Sequence, residues 1–262
     1  MTLTTIHMFW HGPPLSRLER LAVASFLHHR HAVELYVYDE PRGVPAGVQL
    51  RDAAEVLPRD ALFHHRRTGS VALFADWFRY RLLAARGGIW ADMDVVCLQP
   101  IAYPQAVVFA WEDAHQVNNA ILGLPAGHAL ARWLADCCEH PNRIQPYDGW
   151  RMRLRKLRRR YLQGDRRDRL RWGELGPKGL TAAARHLGCL ERALPSAHFY
   201  PVPAQHWRTL FEPAPDGALP WGAESRAVHL WNNMAARSPG FDKDARFAAD
   251  SPFEVLCARY GV

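Results

Sequence analysis

Short apolar runs suited to strands occupy residues 6–10 and 33–39, and between them Leu15, Leu18, Leu21, Ala22 and Phe26 recur at helical spacing. This pattern predicts a β-α-β opening. A second helix is predicted over 71–85, with Val71, Phe74, Phe78 and Leu82 on one side and Gly87 and Gly88 as its stop. The chain then reads as a strand over 89–98, interrupted in the middle by Asp92 and Asp94. Further strands are predicted at 106–111, 120–124, 197–201 and 227–231, and helices at 129–138, 150–162 and 179–187. Alternation of this kind predicts an α/β fold with a mostly parallel sheet covered by helices, in which ligands sit beyond the carboxyl ends of strands. The Pro- and Gly-rich stretch 212–222 reads as a long loop.

Composition narrows the class. With 262 residues, 48% of them hydrophobic, the chain can bury a sizeable core, which excludes wholesale disorder and suits one domain over 1–262. No apolar stretch reaches the length of a membrane span, and Met1 to Trp10 lack the basic start and long apolar run of a secretory signal, so the expected location is cytoplasmic. Five cysteines, Cys97, Cys137, Cys138, Cys189 and Cys257, show no CxxC spacing and read as buried thiols. The net charge of +7 is local: residues 151–172 hold eleven basic side chains against Asp165 and Asp168, which leaves the rest slightly acidic. The basicity therefore belongs to one segment, a basic helical insertion around 150–172.

Candidate chemistry begins with Asp92-Met93-Asp94, since carboxylates at i and i+2 of a strand point to one side and can converge on a hard cation. Spacing alone decides nothing, because roughly one such pair arises by chance in a chain of this composition, and a second, Asp242-Lys243-Asp244, is present. Context separates them. The first pair follows Gly87-Gly88-Ile89-Trp90 and precedes Val95-Val96-Cys97-Leu98, where burial is expected and unpaired carboxylates would be costly. The second sits in a polar stretch and reads as a solvated loop.

The run from Ala75-Asp76-Trp77-Phe78-Arg79-Tyr80 through Gly87-Gly88-Ile89-Trp90-Ala91-Asp92-Met93-Asp94 resembles the sugar-nucleotide signature of glycosyltransferase family 32. Gly176-Pro177-Lys178-Gly179-Leu180-Thr181, His198-Phe199-Tyr200-Pro201, His229-Leu230-Trp231-Asn232 and the opening Phe9-Trp10-His11-Gly12 resemble its α-1,4-galactosyl- and α-1,4-N-acetylglucosaminyltransferase branch. The resemblance implies a GT-A fold with a Rossmann-like sheet and retaining transfer of a sugar from a nucleotide diphosphate, with Mn²⁺ or Mg²⁺ as cofactor. It makes Asp94 the direct metal ligand, with Asp92 on the metal through water or on the donor ribose, and His229 the last ligand. It places Asp76 and Arg79 at the donor sugar, with Tyr80 on their helix face, Trp10 beside Phe9 at the base, and Asn118 and Asn119 at the transferred sugar. Gly88, Gly176 and Pro177 join the donor-binding set, Trp231 would close over the diphosphate, and Glu112 and Asp113 are carboxylates that could face the acceptor.

Glycoside hydrolysis needs two carboxyl groups on opposite sides of the scissile bond, whereas Asp92 and Asp94 converge from one side. Front-face attack with the leaving phosphate as base fits that better, and a glycosyl–enzyme intermediate stays open. The expected partners are a UDP-sugar donor, with UDP-galactose or UDP-N-acetylglucosamine favoured by the resemblance, and a glycan or lipid-linked glycan acceptor in surface polysaccharide or lipopolysaccharide synthesis. A protein acceptor, as in effector-type transferases, is the second reading. Met152, Leu154, Leu157, Tyr161 and Leu162 partly follow a stripe through the arginines of the basic segment. That segment is open to three uses: a solvated face, an anionic membrane surface on the inner side, or nucleic acid. The nucleic-acid reading is the weakest, since it leaves Asp76, Arg79, Asp92 and Asp94 without a task.

Overall fold

The computed structural model describes residues 3–214 and 217–262. Pro215 and Asp216, inside the predicted 212–222 loop, and Met1 and Thr2, in the stretch read for a secretory signal, lie outside the described residues. The opening is the predicted β-α-β unit: β1 (Ile6–Trp10), α1 (Arg17–His28) and β2 (Val33–Val37), with β1 and β2 parallel. Helix α1 starts where it does because Ser16 and Glu19 form a capping box, the Ser16 N–H donating to Glu19 Oε2 at 2.9 Å. Its Leu18, Leu21, Ala22 and Phe26 are fully buried.

A strand that periodicity did not reveal, β3 (Gln49–Asp52), adds parallel to β2, and its residues are mostly exposed, as an edge strand allows. After α2 (Ala72–Arg86) the chain turns through Gly87 and Gly88, both at positive φ. A Cβ on Gly88 would lie 2.5 Å from His7 Nε2, so only glycine fits there. Strand β4 (Gly88–Ala91) pairs parallel to β1 and antiparallel to β7 (Val117–Leu124), which pairs antiparallel to β6 (Val108–Trp111). The sheet order is β3-β2-β1-β4-β7-β6, parallel on one side and antiparallel on the other, mostly parallel and flanked by helices as the GT-A expectation requires.

The predicted strand over 89–98 is two strands. The chain leaves the large sheet after Ala91, turns through Asp92-Met93-Asp94, and enters β5 (Val95–Cys97), which pairs antiparallel with β8 (Ala227–His229) in a separate two-stranded ladder. The Asp92 N–H donates to Ala120 O at 2.8 Å and the Val95 N–H to Asp92 O at 3.1 Å, which closes the turn. A continuous apolar run hides such a break, because buried strands on either side of a turn look alike in sequence. Residues 197–201 hold a 3-10 turn (Ser196–His198) instead of a strand, and β8 ends before Trp231.

Helices α3 (Ala129–Glu139), α4 (Trp150–Leu162) and α5 (Pro177–His186) follow the predictions closely, and α6 (Asn232–Ala235) and α7 (Pro252–Tyr260) were not anticipated. One apolar core, with Leu18, Phe26, Val95 and Phe253, gathers α1 and α7 against the small ladder. The other, with Phe74, Phe78, Leu134 and Leu180, lies under α2, α3 and α5. All five cysteines are free and buried. No helix among the described residues is long and apolar enough to cross a membrane.

Candidate active site

A cleft of about 960 Å³ opens beyond the carboxyl ends of β1 and β4, where the parallel half of the sheet meets the antiparallel half. Its walls include Trp10, Asp76, Asp92, Asp94, Asn119 and His229. The two aspartates reach it from a turn and not from one strand face, so their convergence comes from backbone geometry that i, i+2 spacing did not foresee.

Asp94 is the better anchored of the pair. Its backbone carbonyl accepts the Leu230 N–H at 2.8 Å, and its Oδ2 accepts the Asn232 N–H at 2.9 Å. Pairing of Val95 with His229 in the ladder then sets His229 Nε2 3.2 Å from Asp94 Oδ1. One donor atom from each of Asp92, Asp94 and His229 lies within 4.8 Å of the others. The chain continues through Trp231 at φ 54°, a left-handed conformation costly for a bulky residue. That kink turns the chain so that the next residue meets Asp94. Trp231 itself is pinned by its Nε1–H to Val202 O at 2.8 Å, and its ring lies 4.2 Å from that of His229.

Behind the aspartates lies a buried charge network. The Arg79 guanidinium, on α2, meets Asp92 Oδ1 at 3.0 Å and Asp76 Oδ1 at 3.4 Å, donates to Asn119 O, and sits 4.9 Å over the Trp90 ring. Trp90 Nε1–H adds a bond to Asp92 Oδ1 at 2.7 Å. Asn119 Nδ2 donates to Asp76 Oδ1 at 2.8 Å and to Tyr80 Oη at 2.9 Å. Asp76 and Arg79 are thus no surface ion pair. With its donors given to protein acceptors, Arg79 holds Asp92 in place.

The electrostatics follow from burial. Asp76 is pushed up to about 6 by desolvation, which Arg79 and Asn119 only partly oppose. Burial also raises Asp92, with Arg79 pulling it down and the neighbouring Asp94 adding to the rise. Asp94 goes the other way: burial would raise it, but His229 and the Asn232 N–H hold it below the ordinary aspartate value. His229 is lifted above its usual value because Asp94 outweighs the desolvation that lowers it.

The remaining candidates divide into those at the cleft and those behind it. Phe9, Trp10, Asn118, Pro177 and Trp231 line it, and so does Glu112, whose Oε2 accepts the Asn118 Nδ2–H at 2.8 Å. Asn118 and Asn119 lie inside β7, not ahead of a strand. Tyr80 is outside the cleft lining, donating to Leu175 O at 2.9 Å beneath it. Gly88 lies at the opposite end of β4 from the cleft. Gly176 abuts Asp76, where a Cβ would come 3.0 Å from Oδ2, so it permits the approach of α5 without lining the cleft. Asp113 caps a turn, its Oδ1 accepting the His115 N–H at 2.7 Å and the Gln116 N–H at 3.0 Å.

Trp90, the partner of both Asp92 and Arg79, is not among the sequence candidates, although it stands in the Gly-Gly-Ile-Trp run. Nor are Trp172 and Arg237 at the cleft wall, the guanidinium 5.0 Å from the ring centroid, for which no local signal exists.

Residues 51–117, which contain both aspartates, match the family described as "Glycosyltransferase sugar-binding region containing DXD motif". Over those residues the chain is similar to the DXD glycosyltransferases. Residues 168–259, which contain His229 and Trp231, match the "Alpha 1,4-glycosyltransferase conserved region". The β5–β8 ladder is therefore the seam where the two family regions meet, one bringing two carboxylates and the other an imidazole.

The human alpha-1,4-N-acetylglucosaminyltransferase is 24% identical over 203 residues, covering 71% of this chain and 50% of that protein. The gorilla lactosylceramide 4-alpha-galactosyltransferase is 26% identical over 176 residues, covering 62% of this chain and 46% of that one. The chain thus spans about half the length of these curated relatives. Among solved structures, one titled PaToxG glycosyltransferase aligns at a TM-score of 0.40 and 14% identity, over 74% of this chain and 80% of that one.

Proposed function

We propose that the chain transfers a hexose or N-acetylhexosamine from a UDP-sugar to a glycan hydroxyl, with retention at the anomeric carbon. The observation that carries this reading is the convergence of Asp92, Asp94 and His229 donor atoms at the cleft floor. Two carboxylates and an imidazole, one of whose nitrogens, Nδ1, is buried without a hydrogen-bond partner, fit Mn²⁺, with Mg²⁺ the harder alternative. Such an ion, when bound, acts as a Lewis acid on the leaving diphosphate.

The chain's own residues do the rest. Asp94 and His229 would supply direct ligand atoms, and Asp92, fixed by Arg79 and Trp90, would either meet the metal through water or hold the donor ribose. Trp10, at the end of β1, stacks on the uracil, and the carboxylate of Asp76 and the amide oxygen of Asn119 accept from the hydroxyls of the transferred sugar. Glu112 and Asn118 face the acceptor side. In a front-face attack the leaving phosphate oxygen takes the acceptor proton, and no side-chain nucleophile is required. Galactose and N-acetylglucosamine are the favoured sugars, by analogy with the names of the relatives. The acceptor is a surface glycan or its lipid-linked precursor.

Thermal stabilisation by a panel of UDP- and GDP-sugars, with and without Mn²⁺, tests the donor. One UDP-sugar should stabilise the protein only with metal, and NMR should show the α-anomer as the first sugar released by slow hydrolysis. Equal response to every donor, or first release of the β-anomer, contradicts the proposal.

A further inference from the structure

Helix α4 is built inside out. Of its thirteen residues, those buried against the protein are Lys156 and Arg159. Lys156 Nζ meets Asp148 Oδ2 at 2.7 Å, and the Arg159 guanidinium makes a two-pronged pair with the Glu174 carboxylate. The outward face carries Trp150, Leu154, Leu157 and Tyr161, at i, i+4, i+7 and i+11, so they form one apolar stripe along the helix. These residues and the adjoining Leu162 are five of the eight large apolar side chains exposed among the described residues, with Trp150 67%, Tyr161 71% and Leu162 78% accessible. At 100° per residue, Arg153 and Arg160 fall on one flank of the stripe and Arg151 and Arg158 on the other, and all four are exposed.

A solvated basic face has no use for a stripe of leucine, tryptophan and tyrosine, and leaving it in water is unfavourable. The stripe limits what can cover it. A second copy of the helix would bring like-charged arginines together along both flanks, and a phosphate backbone alone offers nothing to the leucines. An anionic bilayer surface satisfies both features, since apolar side chains enter the acyl boundary, tryptophan and tyrosine sit at the headgroup level, and arginines pair with lipid phosphates.

We propose that the outward face of α4 docks the protein on an anionic lipid surface, with Trp150, Leu154, Leu157 and Tyr161 inserted and Arg151, Arg153, Arg158 and Arg160 on the headgroups. The inward ion pairs make this a rigid platform. Arg159 and Glu174 tie the helix to a segment whose Trp172, Gly173, Pro177 and Lys178 line the cleft, so docking holds the cleft at a fixed position relative to the bilayer. This inference stands apart from the transferase reading, because binding is measured without donor or metal.

The test is flotation of the whole protein with phosphatidylcholine vesicles and with vesicles also containing phosphatidylglycerol. The wild type should float with the anionic vesicles and stay behind with the neutral ones. Leu154→Glu/Leu157→Glu, at exposed positions, should keep the wild-type circular dichroism and lower the bound fraction by about tenfold or more. Arg153→Gln/Arg158→Gln/Arg160→Gln should abolish the preference for anionic lipid. Trp150→Phe should remove part of the blue shift in fluorescence that accompanies binding. Failure of the wild type to float, flotation undiminished by the double glutamate variant, or binding of a duplex oligonucleotide while vesicles are ignored would each overturn the proposal.

Discussion

Two Asp-X-Asp triplets occur in this chain, identical in spacing and opposite in fate. In Asp92-Met93-Asp94 both carboxylates are drawn into a cleft, one by Arg79 and Trp90, the other by His229 and the Asn232 N–H. In Asp242-Lys243-Asp244 the carboxylates serve the backbone: Asp242 Oδ1 accepts the Asp244 N–H at 2.9 Å, and Asp244 Oδ1 accepts the Arg17 N–H at the start of α1, also at 2.9 Å. Lys243 between them pairs with Glu19. The first turn joins two sheets and faces a cavity, while the second closes a loop over a helix end. Spacing brings two carboxylates together, and what lies across from them decides whether they form a site or a cap.

The contrast is open to direct attack. The largest effect is expected for Asp94→Asn, which keeps the shape but removes the charge proposed to hold the metal and should lower UDP release from the donor by about 10²- to 10³-fold, in the range lost with other key transition-state contacts. Steady-state nucleotide release checks it. His229→Ala comes next, with Mn²⁺ affinity falling by about 10- to 100-fold in a calorimetric titration.

Asp76→Asn has a pH signature. A carboxyl held near 6 in the fold and near 3.8 when unfolded contributes stability below the lower value, and that contribution is lost as pH rises through the higher one. The stability of wild type relative to Asp76→Asn should therefore fall between about pH 4 and pH 7, by something on the order of 2 kcal/mol, readable from urea midpoints. The smallest effect belongs to the second triplet. Asp244→Ala should cost about 1 kcal/mol of stability through the lost helix-end contact and leave turnover unchanged, as thermal melts and nucleotide release on the same samples will show.

Much of this contrast was legible in the sequence. Apolar periodicity placed α1, α2, α3 and α4, and the Gly-Gly stop marked the entry to β4. The Gly-Gly-Ile-Trp context alone separated the two triplets. Hidden from it were features made by long-range contact. The turn at Asp92 depends on Ala120 O, the role of Arg79 depends on a carboxylate thirteen positions away and on the carbonyl of Asn119, and Trp231 is forced into the left-handed region by the chain's need to meet Asp94. Edge strand β3 escaped because its short run is largely polar and exposed. The polarity of α4 was visible as a stripe, but which side faced the protein was not, since buried Lys156 and Arg159 look like their exposed neighbours until Asp148 and Glu174 are found across from them.

The central claim is that the first triplet, with His229, is a metal-dependent donor site. The measurement that tests it most directly is release of UDP from UDP-galactose and UDP-N-acetylglucosamine, with Mn²⁺ and with chelator, for wild type, Asp94→Ala and Asp244→Ala side by side. Release from one donor should require Mn²⁺, be abolished in Asp94→Ala and persist in Asp244→Ala. Release that ignores the chelator, or that survives Asp94→Ala, would contradict it.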